Sequence, residues 1–239
     1  MQWSYVSRRR RLSPLDSSNI QILSWEKGTT TVNAIENSLY LTAAAKLANR
    51  LPSTPSGGYY YNEAIRAYTW FINSGMINEQ FLINDGLTAA CGNNGGTTWS
   101  YNQGAILGGL TELTWASGDP TYTTLAVNIA NATITLLTDS NGILTDACGE
   151  CPGDGGQFKG VFARNLQFMY NRADGLTTAT LAQFKSFLQN NADTLWVKDQ
   201  TGNLLGPVWD GPYVTADVNS QSSALDLLVG AAGVSTASG

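Results

Sequence analysis

Helical segments joined alternately by tight turns and long loops leave this chain few folds to choose from. Apolar residues recur at helical spacing. Ile35, Leu39, Ala43 and Leu47 predict a helix over 31–49, and Ala64, Tyr68, Phe71 and Ile72 one over 60–74. Ile106, Leu110 and Leu113 predict a third over 102–117, and Leu125, Ile129, Thr133 and Leu136 a fourth over 119–138. Val161, Phe162, Leu166 and Met169 mark 158–172; Leu181, Phe184, Leu188 and Leu195 mark 177–196; Leu225 and Leu228 mark 219–232. Asp119-Pro120 reads as an N-cap followed by a proline in the first helical position. Ser117-Gly118 and Ala173-Asp174-Gly175 are tight turns, and a connection of about ten residues holds Pro52, Pro55 and Gly57-Gly58. The other three connections, 75–101, 139–157 and 197–218, are long. Loops of that length in a compact domain usually carry function.

The long loops repeat. Asn84-Asp85-Gly86-Leu87, Ser140-Asn141-Gly142-Ile143 and Thr201-Gly202-Asn203-Leu204 take the same place in each, and Gly95-Gly96 and Gly155-Gly156 follow the first two. The period is about 60 residues, one helical hairpin per unit, as in a helical repeat array. All long loops then share one face. The expected architecture is all-α, an (α/α)6 toroid-type array of hairpins, incomplete at about seven helices. Residues 1–24 fit no repeat and are read as a separate disordered segment, with the array over 25–239. A hairpin without a neighbour leaves an apolar face uncovered. The expectation is therefore a ring that lacks its N-terminal helices.

Composition narrows the chemistry. Charged residues are 13% of the chain, about half the usual share of roughly 25%, so the polar surface rests on amides and hydroxyls. Such surfaces suit neutral ligands such as sugars. A net charge of −5 argues against a nucleic-acid partner, and Arg8 to Arg11 read as a solvated end. The chain has no histidine, which excludes a Ser-His-Asp triad, a Cys-His pair and a His-ligated zinc site. Cys148-x-x-Cys151 lacks the second pair a structural zinc needs, so no metal and no cofactor are expected. One disulfide among Cys91, Cys148 and Cys151 is expected, with the pairing open and an oxidising compartment implied. No stretch of about 20 apolar residues is present, and Met1–Leu15 lacks the apolar centre of a signal peptide. Asn131-Ala132-Thr133 is a glycosylation sequon.

Candidate binding residues lie in and after the long loops. In the first, Asp85, Trp99, Tyr101, Asn102 and Gln103 bring aromatics, amides and a carboxylate together. A pyranose stacks its apolar face on Trp or Tyr, while its hydroxyls need fixed donors and acceptors. Core packing for Trp99 and an N-cap for Asn102 are the alternatives. In the second loop Asp146 and Glu150 read as solvated turn residues. Lys159 and Arg164 follow on the next helix and read as balancing acids or binding carbonyls, with Lys159 also a substrate-binding candidate. In the third loop Trp209 is a sugar platform or a core residue. No catalytic residue is identified.

Several segments together resemble glycoside hydrolase family 76, the α-1,6-mannanases. They are Val32-Asn33-Ala34-Ile35-Glu36-Asn37, Asn84-Asp85-Gly86-Leu87, the run from Asn93-Asn94-Gly95-Gly96-Thr97-Thr98-Trp99-Ser100-Tyr101-Asn102-Gln103-Gly104 to Leu110, Gln157-Phe158-Lys159-Gly160-Val161-Phe162 and Ser220-Gln221-Ser222-Ser223-Ala224-Leu225. The resemblance runs from about Ser24 to Ala232. It implies a toroid, an α-mannan or mannooligosaccharide partner, retaining endo-hydrolysis (or transglycosylation) of α-1,6-linkages, and an extracellular or cell-wall setting. It also implies Asp85 near the cleaved mannose, with Trp99, Tyr101, Asn102 and Gln103 lining the cleft. The family's chemistry uses an adjacent Asp-Asp pair, and retaining glycosidases place two carboxyls roughly 5–5.5 Å apart. This sequence has no adjacent aspartates. The resemblance therefore implies a glycosidase-like protein impaired in catalysis as this chain stands. A non-catalytic mannan-binding module and a helical interaction scaffold are the alternatives.

Overall fold

The computed structural model describes residues 32–52 and 55–235, the side chains of 55 and 56 excepted. The expectations for residues 1–24 lie outside that range. All seven expected helices form: α1 Ala34–Arg50, α2 Pro55–Asn73, α3 Ser100–Ser117, α4 Thr121–Leu136, α5 Phe158–Arg172, α6 Thr178–Lys198 and α7 Val218–Ser235. Among the described residues, strand is confined to four two-residue pieces: β1 Val32–Asn33 pairs antiparallel with β2 Gly86–Leu87, and β3 Gln200–Thr201 with β4 Leu204–Leu205. The main difference from the sequence reading is at α2. It starts at Pro55, so Gly57 and Gly58 are helical and the connection shrinks. Proline suits a first helical turn because its missing N–H would have no partner there. A Cβ on Gly57 would overlap the Leu51 carbonyl. The turn before α4 follows expectation in chemistry, with Asp119 Oδ1 accepting from the Thr121 N–H at 2.9 Å and the Thr124 N–H bonding the Pro120 carbonyl.

The helices form two layers. α1, α3, α5 and α7 pack side by side in one; α2, α4 and α6 cover them as a second. Contacts between successive odd helices repeat the sequence period. Thr42 Oγ1 donates to the Ala105 carbonyl at 3.0 Å, 63 positions away, and the Gly160 N–H donates to Ser223 Oγ at 2.8 Å, also 63 away. Glycine permits this closeness. A Cβ on Gly104 would lie 2.5 Å from Phe162 Cα, and one on Gly160 2.6 Å from Ser223 Cα. α3 is the most enclosed helix. Nearly every residue from Ser100 to Thr114 is buried, and the Thr111 and Thr114 hydroxyls bond carbonyls one turn back. Its Glu112 carboxylate is buried but met by Asn49 and Arg50 of α1.

The long loops also repeat in three dimensions, in a register that differs from the sequence reading. The turn Asn78–Ile83 matches Asp139–Leu144. Asn78 Oδ1 accepts from the Gln80 and Leu82 N–H groups, and Asp139 Oδ1 from those of Asn141 and Ile143. The bridges Ile77–Ile83 and Thr138–Leu144 confirm the offset, and β3–β4 takes the third place with a turn one residue shorter. Asn84-Asp85-Gly86-Leu87 therefore follows the turn instead of forming it. Glycine does not mark this register, because the left-handed turn position carries Gly142 in the second copy but Phe81 in the first. In each copy the last turn residue gives its N–H to an amide side chain: Ile83 to Gln103, Leu144 to Asn191 and Leu205 to Gln221.

Candidate functional site

The first inner helix meets the first long loop through β1–β2. Gly86 is required there, because a Cβ would overlap the Val32 carbonyl. The Ala34 N–H, at the start of α1, donates to the main-chain carbonyl of Asp85 at 2.8 Å. The register-equivalent Asp146 treats α3 differently. Its carboxylate caps the helix itself, accepting the Ser100 N–H at 2.8 Å and the Ser100 hydroxyl at 2.6 Å. Asp146 is thus buried, not solvated as the sequence suggested, while Glu150 is exposed. Because Asp85 meets its helix with the backbone, its carboxylate remains available. It accepts from Tyr101 Oη and Asn102 Nδ2, each at 3.3 Å.

An aromatic wall stands beside that carboxylate. The Tyr101 ring lies 4.1 Å from the Phe158 ring, and Trp99 lies 5.5 Å from it on the other flank. All three are half-buried, so each keeps some ring exposed. Burial and the neighbouring Asp85 charge push the Tyr101 hydroxyl well above the usual phenol range. Tyr101 is therefore a neutral hydrogen-bond donor. Glu36, in the first turn of α1, completes the group. It is 4% exposed, and neither carboxyl oxygen has a hydrogen-bond partner. Burial, and secondarily the Asp85 charge, raise its proton affinity above the ordinary value, though its own backbone N–H opposes this. One half-buried, hydrogen-bonded carboxyl and one enclosed carboxyl that resists ionisation thus share a site.

The sequence-derived candidates separate into two sets. Asp85, Trp99 and Tyr101 come together with exposed surface, and Asn102 meets Asp85 while fully buried. Gln103 is also fully buried, and both ends of its amide serve the backbone of Ile83. Lys159 is 5% exposed and donates to the Pro207 carbonyl at 2.7 Å. Its Nζ lies 4.7 Å from the centre of the Trp209 ring, and Trp209 has no exposed surface. A ring without an open face has nothing to offer a sugar. Gln103, Lys159 and Trp209 hold the loops in place. Burial pushes Lys159 down to about 8 against the opposing pull of Asp146, Asp199 and Asp210. Arg164 balances Asp226 of α7 at 2.8 Å. The disulfide joins Cys148 to Cys151, leaving Cys91 exposed and free.

Two site residues escaped the sequence reading. Phe158 was legible only as part of a longer motif. Asn33-x-x-Glu36 has the spacing of a capping box, so a sequence signal at Glu36 points to helix capping instead. In the structure Glu36 caps nothing, because neither of its carboxyl oxygens has a hydrogen-bond partner. Its loneliness predicts a pH effect. An acid whose proton affinity rises on folding adds stability below its unfolded value, near 4.5, and loses it as pH rises toward the native value. Glu36→Gln should remove that part of the decline. Urea unfolding from about pH 4 to 8 should show a flatter stability profile for the variant; parallel profiles would refute it.

Two layers of helices with aromatic rings, a carboxylate and amides on the long-loop face define a helical-hairpin protein whose loop face suits a neutral hydroxylated ligand. A glycosyl hydrolase family 76 model matches residues 19–236, and the chain belongs to that family. It is 25% identical over 231 residues to the mannan endo-1,6-alpha-mannosidase DFG5 of Candida albicans, covering 87% of this chain and 48% of that protein. It is 26% identical over 225 residues to DCW1 of Saccharomyces cerevisiae, of the same description, covering 87% and 47%. The chain thus spans about half the length of these relatives. The GH76A α-1,6-mannanase of a Salegentibacter species superposes with a TM-score of 0.78 at 24% identity, over 89% of this chain and 62% of that one. This likeness establishes the shared toroid fold. An inactive variant of that enzyme, with two adjacent aspartates replaced, has been seen with α-1,6-mannotetraose, and it superposes with a TM-score of 0.77.

Proposed function

We propose that this chain binds α-1,6-linked mannan as the substrate-binding part of an endo-1,6-α-mannosidase-type glycoside hydrolase. The carrying observation is the Trp99–Phe158–Tyr101 wall beside the half-buried Asp85 carboxylate. Mannosyl rings stack on the wall, while Asp85 accepts from sugar hydroxyls. Tyr101 donates to Asp85, and Asn102 fixes its orientation from below. Burial of Glu36 disfavours a second negative charge beside Asp85. Membership in the family and the mannosidase descriptions of its relatives support this reading. An extracellular or cell-wall setting fits the Cys148–Cys151 disulfide, because such bonds persist in oxidising compartments. No helix among the described residues is long and apolar enough to cross a membrane.

Calorimetry with α-1,6-mannotriose tests the proposal. Trp99→Ala and Tyr101→Ala should each weaken binding at the cleft by roughly tenfold or more, as loss of an aromatic platform does. Unchanged affinity in both would overturn the site. A second reading, a mannan-binding module without turnover, rests on the same wall and carboxylate. A reducing-sugar assay on the same protein separates the two: binding with product release supports the hydrolase, and binding alone supports the module.

A further inference from the structure

The two matching loop turns disagree at one position. Gly142 occupies the left-handed conformation with φ of 76°, and Phe81 does so with φ of 62°. That conformation costs an L-residue roughly 1–2 kcal/mol, and glycine avoids the cost in the second copy. Burial does not compensate Phe81, which is 43% exposed. Strain held without a packing gain marks a residue with other work. Phe81 lines a shallow, open groove of about 310 Å³ between the first loop and α4, near the lower end of the roughly 300–1,000 Å³ typical of small-molecule sites. Gln80, Asn128 and Asn131 bring amides to its lining, together with Leu136, which is 46% exposed. No residue lining it carries charge, and the Asn131 Oδ1 atom is buried without a hydrogen-bond partner.

We propose that this groove is a second binding site, separate from the cleft, for a neutral oligosaccharide. Phe81 covers the apolar face of one pyranose, and Gln80, Asn128 and Asn131 take its hydroxyls. An uncharged, amide-rich groove under an exposed ring selects a neutral hydroxylated ligand over an ion or a charged peptide. The identity of the sugar as mannose rests on the function proposed above; the site itself does not.

The test is calorimetry with α-1,6-mannotriose on protein made in a bacterial host, so that the Asn131-Ala132-Thr133 sequon carries no sugar. Wild type should show two classes of site. Phe81→Gly should remove one class, or weaken it by roughly tenfold, and leave the class that depends on Trp99 and Tyr101. Relief of the left-handed strain should also raise its unfolding midpoint, which guards against misfolding as a cause. Asn131→Ala should weaken the same class. A wild-type stoichiometry and affinity in both Phe81→Gly and Asn131→Ala overturns the groove. Binding that vanishes in Trp99→Ala/Tyr101→Ala also overturns it, and supports the cleft. Binding lost in Phe81→Gly but indifferent to Trp99 and Tyr101 supports the groove and overturns the cleft. No binding by wild type overturns both.

Discussion

Gly104→Ala is expected to destabilise this protein by about 3 kcal/mol, the upper end of ordinary overpacking costs. In an exposed helix the same change gains about 1 kcal/mol, because alanine loses less backbone entropy than glycine. The reversal follows from what the new methyl meets. It would lie 2.5 Å from Phe162 Cα and 2.8 Å from both the Phe162 nitrogen and the Val161 carbonyl oxygen. These are backbone atoms of α5, so no rotamer change relieves the clash and the two inner helices must part. Gly58→Ala is the control. It lies in α2, nothing stands within 4 Å of its added carbon, and it should stabilise by roughly 0.5–1 kcal/mol. Urea unfolding of both variants checks the pair. A Gly104→Ala midpoint at or above wild type would show that the α3–α5 contact is looser than the geometry says.

Asp146→Ala is expected to cost about 2–4 kcal/mol, more than a surface cap of its kind. Its two hydrogen bonds to Ser100 are buried, and bonds to a charged acceptor contribute about 1.5–3 kcal/mol. Removing the carboxylate also leaves the first N–H of α3 without an acceptor in a buried place. Asp146→Asn keeps the shape and one good acceptor, so it should cost less than half as much. The damage should be local as well as global. Tyr101 and Asn102 follow Ser100 directly, so amide exchange in the first turn of α3 should speed up and sugar affinity should fall with it. A loss under 0.5 kcal/mol, with unchanged exchange at Ser100–Gln103, would contradict the role assigned to Asp146.

The same residue shows why part of the site was hidden. In sequence, Asp146 sits among glycines and cysteines and reads as a turn acid. Its partner is the start of a helix 46 positions earlier, and no local pattern announces that. Asp85 stood out through its motif, yet Asp85 and Asp146 are equivalents in the repeat. They differ because the Asp85 backbone meets α1 while the Asp146 side chain meets α3. Glu36 carries a helix-capping spacing and was legible only as that. Gln103 belongs to the most distinctive motif in the chain, and the structure uses it to clamp the turn behind the cleft.

Helix content, helix order, the period near 60 residues and the single long-loop face were determined by the sequence itself. These follow from apolar spacing, proline and glycine, whose effects act within a few residues along the chain. The family, too, was legible in contiguous motifs. Only the tertiary structure decided which motif residues face a ligand. Trp99 and Tyr101 keep open ring surface because Phe158, some 57–59 positions on, supports them from one side. Trp209 loses its surface because Lys159, 50 positions earlier, covers its ring. Exposure depends on what packs across the helix layers, and residues of identical type and similar loop context are told apart only by those distant contacts.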